Sequence, residues 1–217
     1  MKALLKLRET QLALCTVALI VLVGMRAPVF VSGSSLANLL TDSTLLIMLA
    51  LAQMLVIVTR GVDLSMASTL ALAGMMSALL ASRFPALPLL VVMLAALAIG
   101  LLLGLINGYL IGHLELPPIV VTLGTMSVYR GLVFVLSGGA WVSSHQMPAD
   151  FIAFPLARLF GVTHLVWIAA ATVLAAWYVA RHTRFGRDLY AIGNAPASAR
   201  YVRPAKRPER TARPGRT

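Results

Sequence analysis

ALPLLVVMLAALAIGLLLGLINGYLIG, residues 86–112, is the stretch whose reading decides the fold. It carries no Asp, Glu, Lys, Arg or His from end to end. As a helix rising about 1.5 Å per residue it is long enough to cross the roughly 30 Å of hydrocarbon in a bilayer. Gly100, Gly104, Gly108 and Gly112 fall in steps of four and therefore lie along one helix face, where another backbone can come close. These four are helix-packing candidates. Asn107 stands beside the stripe, and an amide in hydrocarbon costs free energy unless something hydrogen-bonds it.

Working outward, the chain gives five more apolar spans, at roughly 7–25, 43–59, 64–81, 116–136 and 162–180. An amphipathic stretch with Asn38 and Asp42 leads into the second, which holds Gln53. The last has Trp167 near one end and Trp177-Tyr178 at the other, as interface-seeking aromatics prefer. Between the fifth and sixth spans, residues 138–161 form the largest connecting piece, with a short amphipathic helix expected over about 150–160. The predicted fold class is an all-α polytopic membrane bundle of about six transmembrane helices with a short external interfacial helix.

The bulk numbers agree. Of 217 residues 59% are apolar and 12% charged, with a mean hydropathy of +0.89. A soluble domain is about half apolar and a quarter charged, so lipid is the natural solvent for this chain. Net charge is +11, but residues 203–217 alone carry six Lys/Arg against one acid. No aromatic or basic interleaving on a folded face accompanies that charge, which argues against nucleic acid as a partner. The lone cysteine, Cys15, makes no internal disulfide. The basic N-terminus before the first span lacks a small-residue cleavage pattern and reads as an uncleaved first helix.

Six crossings return the chain to its starting side. With that side cytoplasmic, the inner segments hold Lys2, Lys6, Arg8, Arg60, Arg181, Arg184, Arg187, Arg200 and the six basic tail residues. Only Arg26, Arg83 and Arg158 fall outside. This asymmetry predicts that both termini are cytoplasmic.

Polar residues within or beside the spans are the candidates for a pathway: Gln53, Asp63, Asn107, Thr122, Tyr129 and Arg130. Gln53 and Asn107 suit interhelical glue as well as pathway lining. In Thr59-Arg60-Gly61-Val62-Asp63-Leu64-Ser65, Gly61 permits a break, Asp63 and Ser65 can cap the next helix, and Arg60 can pair with Asp63. Pro117-Pro118 suits a helix's first turn. Arg130 suits snorkelling or structural pairing as well as a pathway role. There is no GxxxxGK[ST] loop for ATP, and no metal spacing among His113, His145, His164 and His182. No HExxH or GxSxG motif is present. The sequence therefore offers no catalytic residue, metal ligand or cofactor.

Three stretches together resemble one family. They are TRGVDLSMASTLALAGMMSALL (59–80), GLINGYLIGHLELPPIVVTLGTMSVYRGLVFVLSGGAWV (104–142) and TRFGRDLYAIGNAPASARYV (183–202). In that order and spacing they are similar to the membrane subunit of ribose-, rhamnose- and autoinducer-2-type ABC importers, over about residues 1–202. LSGGAWVSSHQM (136–147) most resembles the rhamnose branch. The resemblance implies a monosaccharide permease of the bacterial inner membrane, working with a second permease subunit as a homo- or heterodimer. Separate cytoplasmic ATP-binding subunits and a periplasmic sugar-binding protein would complete it. It also implies that 186–193 is the coupling segment on the ATPase, with Gly186, Arg187, Tyr190, Ile192 and Gly193 as candidates. The family continues with about four more helices, whereas here RPAKRPERTARPGRT follows from Arg203 with no large apolar residue. Two units are expected: an incomplete permease domain over 1–202 and a basic disordered tail over 203–217, the product of a frameshift or premature end. A truncated non-transporting remnant and a passive channel are the alternatives.

Overall fold

A computed structural model describes residues 8–194. Lys2, Lys6 and everything from residue 195, including the tail at 203–217, lie outside the described residues. In order come α1 (Arg8–Arg26), a 3-10 turn (Pro28–Val31), α2 (Gly33–Val58), α3 (Met66–Arg83), α4 (Leu89–Gly112) and α5 (Pro118–Ser137). Then follow α6 (Ala149–Leu156), two-residue strands β1 (Arg158–Leu159) and β2 (Val162–Thr163), α7 (His164–His182) and α8 (Arg184–Asn194).

Helices α2, α3, α4, α5 and α7 are long and apolar enough to cross a membrane. The first span is shorter, its apolar part running Thr10–Arg26. The polytopic all-α architecture expected from the sequence is present, with local differences. Helix α2 starts at Gly33, well before the expected 43, because Ser32 Oγ caps it by accepting from the Ser35 amide at 3.3 Å. Asn38 and Asp42 are therefore helical. The short helix expected over about 150–160 stops at Leu156: Pro155 cannot extend the hydrogen-bond ladder, and β1 and β2 take over as an antiparallel pair. Their turn residues, Phe160 and Gly161, have φ of 54° and 79°, the positive pair that a tight hairpin requires. This hairpin is tied to α2, with Arg158 Nη2 donating to Asn38 Oδ1 at 3.3 Å and the Thr41 and Thr163 hydroxyls 2.9 Å apart.

Helix α3 packs on α4 and α5, while α2 packs on α7, and α8 lies against α7 and α2. The buried cluster is Leu72, Leu103 and Tyr129, surrounded by Met76, Ile99 and Val133. Outside it, large apolar side chains point outward, Leu97 at 70% and Val135 at 76% exposure among them. Backbone polar groups are satisfied within the helices, which is what lipid demands of a spanning segment.

Candidate functional site

The break between α2 and α3 is set by a Schellman cap. Arg60 donates its amide to Ile57 O at 2.8 Å and Gly61 donates to Val56 O at 3.1 Å. The left-handed residue is Arg60, with φ 61°, and not the glycine. Gly61 serves a different purpose, since a Cβ there would lie 3.1 Å from Val56 Cγ1 and 3.4 Å from Val56 O.

After the break the chain builds a polar node. Asp63 Oδ1 accepts from the Ser65 amide and from the Ser65 hydroxyl, both at 2.7 Å. Ser65 Oγ in turn accepts from Asn107 Nδ2 at 2.8 Å. Ser65 is fully buried and begins α3 without capping it through its side chain. The hydroxyl read as a cap instead bridges the Asp63 carboxylate in the break and the Asn107 amide on α4. Asn107, 5% exposed, is left with its carbonyl oxygen unpartnered among the described residues.

Asp63 and Asn107 stand at one end of a groove of ≈ 760 Å³ between α2, α3, α4 and α7. Small residues such as Ala52, Ala73, Gly100 and Gly104 share its lining with larger ones, Leu49, Met66, Leu70, Met93, Leu97, Leu101 and Ile168. A Cβ built at Gly100, Gly104, Gly108 or Gly112 meets no described atom within 4 Å. Within the described residues, then, the glycine stripe is an open face, with no helix against it.

The other pathway candidates lie elsewhere. Thr122 is buried and hydrogen-bonds Pro118 O at 2.9 Å and, at 3.4 Å, Val62 O in the break. Tyr129 is buried in the core, its hydroxyl donating to Leu103 O at 3.1 Å. Arg130 is exposed on the surface of α5, and Gln53 is half-buried on α2. The structure thus brings Asp63, Asn107 and Thr122 to the break and leaves Arg130 and Gln53 apart from the groove walls.

At the far end of α7 the chain turns into α8. Gly186 and Gly193 are buried, seven residues apart and so on one face. A Cβ at Gly186 would strike the Val179 and Ala180 carbonyl oxygens, and one at Gly193 would strike Val58 O. Their bare backbones let α8 lie flat across the ends of α7 and α2. Around the rest of the helix Phe185, Arg187, Tyr190 and Ile192 are exposed. This division of labour within 186–193 is absent from the sequence reading, although the i, i+7 glycine spacing carries the signal.

Residues 35–203 match a family model described as the branched-chain amino acid transport system / permease component. The chain belongs to this permease family. Among curated relatives, the autoinducer 2 import system permease protein LsrC of Enterobacter sp. (strain 638) is 37% identical over 203 residues, 93% of this chain and 58% of that protein. LsrC of Klebsiella pneumoniae is 36% identical over 202 residues, 93% of this chain and 58% of that protein. LsrC of Escherichia coli O9:H4 (strain HS) is 34% identical over 196 residues, 90% and 56%. No solved structure gives a significant match. This permease therefore spans a little under three-fifths of the length of the curated relatives it matches. Family and helices together make it a multi-pass membrane protein.

Proposed function

We propose that this permease is the membrane subunit of an ATP-binding-cassette importer that carries a monosaccharide of the rhamnose or ribose type across the bacterial inner membrane. Both of its termini face the cytoplasm. It works beside a second permease subunit, is energised by separate cytoplasmic ATPase subunits, and receives substrate from a periplasmic sugar-binding protein. The observation that carries this reading is α8. A short helix has two buried glycines pressed on carbonyl oxygens, while Phe185, Arg187, Tyr190 and Ile192 are exposed around it. Such a mixture of aromatic, basic and aliphatic side chains is what protein hot spots are made of.

A mechanical route follows. Force on the exposed face of α8 is delivered through Gly193 to Val58, the last residue of α2, and so to the break. The Asp63–Ser65–Asn107 chain and the Thr122 contact pass it from the break to α4 and α5. Asp63, part-exposed and lining one end of the groove, is then the acceptor that substrate hydroxyls would meet.

The test is reconstitution in proteoliposomes with the ATPase and binding-protein partners. ATP-dependent uptake of labelled rhamnose or ribose is expected, and uptake without ATP or partners would favour a passive channel. Arg187→Ala and Tyr190→Ala are expected to reduce permease-stimulated ATP hydrolysis about tenfold, the loss of one or two interface anchors. Unchanged stimulation would remove α8 from the coupling role.

A further inference from the structure

The last turns of α7 carry a stripe that neither the groove nor the exposed side of α8 uses. Leu174, Trp177, Tyr178, Arg181 and His182 recur at i, i+3, i+4, i+7 and i+8, which is one helix face. All five are exposed, Leu174 at 64%, Trp177 at 54% and Tyr178 at 59%. Along the helix axis the stripe changes character in a fixed order, from aliphatic to aromatic to cationic.

That order follows membrane depth. Helix α7 has 19 residues, about 28 Å, close to the roughly 30 Å of bilayer hydrocarbon. Trp177 and Tyr178 then lie about 6–8 Å inside its α8 end, where hydrocarbon gives way to glycerol and headgroups and where indole and phenol rings partition. Leu174 is left beside acyl chains, and Arg181 and His182 at the level of the phosphates. A phospholipid presents tail, ester and phosphate in the same order. A protein neighbour would have no need of a sequence graded by depth.

Charge selects the kind of phospholipid. No acid occurs between Trp177 and Arg187, a stretch that includes Arg181, His182 and Arg184. A cation at a helix C-terminus is ordinary by itself; here the aromatic pair holds one of the polar groups in place. The His182 ring stacks on Tyr178, centroids 5.3 Å apart with 25° between planes, and meets Trp177 edge-on at 5.3 Å and 68°. An imidazole held by two rings keeps a ring N–H donor at the membrane surface, one residue from a guanidinium with five.

We propose that this stripe binds a phospholipid with an anionic headgroup, its phosphate on Arg181 and His182 and its acyl chain along Trp177 and Leu174. The site goes beyond the transport reading and stands whichever side of the membrane α8 faces.

Trp177 supplies the probe. The full chain carrying Trp141→Phe and Trp167→Phe keeps it as the single tryptophan. This parent is reconstituted in bilayers where either phosphatidylglycerol or phosphatidylcholine bears bromine on its acyl chains. Trp177 emission is expected to be quenched at about fivefold lower mole fraction of the brominated anionic lipid, the gain from one cation near an anionic surface. Arg181→Gln should bring the two lipids to equality. Arg83→Gln, exposed at the end of α3, should leave the preference intact. Should the doubly substituted parent fail to fold, native mass spectrometry of the unsubstituted chain serves instead. Retained phosphatidylglycerol is expected there and its loss in Arg181→Gln. Equal quenching or retention of both lipids, or a preference that survives Arg181→Gln, overturns the proposal. Quenching by neither lipid would show that protein covers the stripe and would overturn it too.

Discussion

Arg60 occupies a left-handed backbone position that costs an L-residue with a side chain about 1 kcal/mol and costs glycine almost nothing. Arg60→Gly is therefore expected to stabilise the protein by about that amount, read as a higher midpoint of thermal unfolding in detergent. A lower midpoint would mean the guanidinium makes a contact that outweighs the strain. Ser65 argues the other way. Its single hydroxyl serves Asp63 and Asn107 together, so Ser65→Ala strands a buried amide whose carbonyl oxygen already lacks a partner. The expected cost is about 2 kcal/mol, within the range for a buried polar group left unmade. Thermal unfolding measures it, and Ser65→Thr, which keeps the hydroxyl, should lose less. The sequence marks Ser65 as polar and near a helix start, and a cap is the local interpretation. Its actual partner is 42 positions away, so only the packed α3–α4 pair reveals it.

At the scale of the element, α8 is held by absence of side chains. Gly193→Val places a branched side chain against Val58 O and must lift α8 from α2, at about 2 kcal/mol for overpacking. The check is limited proteolysis, with faster cleavage expected within 184–194 while α3, α4 and α5 stay protected. Equal protection would show that α8 docks without this contact. Helix α5 shows the reverse relation between sequence and structure. Pro117-Pro118 at its start and Gly138 at its end, with φ 63°, are the signals a reader of sequence looks for, and the helix runs Pro118–Ser137 between them. Helix α2 hides its beginning, since Asn38, Thr41 and Asp42 look like connecting polar residues. The partners of Asn38 and Thr41, Arg158 and Thr163, come more than a hundred residues later.

Over the whole molecule, what sequence makes legible is what lipid dictates residue by residue: apolar length, charge-free interiors, and helices as the only open-chain spans. Which helices adjoin is not dictated that way. The α3–α4–α5 cluster and the α2–α7 pair depend on a few buried polar contacts and on where small residues fall, neither of which hydropathy resolves. Helix α2 also has a consequence for the choice of membrane. Its 26 residues extend about 39 Å, some 9 Å beyond the hydrocarbon thickness of a typical bilayer. The excess, about six residues, is the Gly33–Asn38 end, and the hairpin is tied there and one turn further on, at Asn38 and Thr41. The hairpin's height above the bilayer thus depends on how far α2 tilts, and tilt depends on lipid chain length. Thermal stability should peak in bilayers of intermediate thickness and fall in long-chain lipid, where hydrocarbon would cover Asn38 and its bond to Arg158; a flat response across thickness would mean that α2 and the hairpin do not sense the membrane at all.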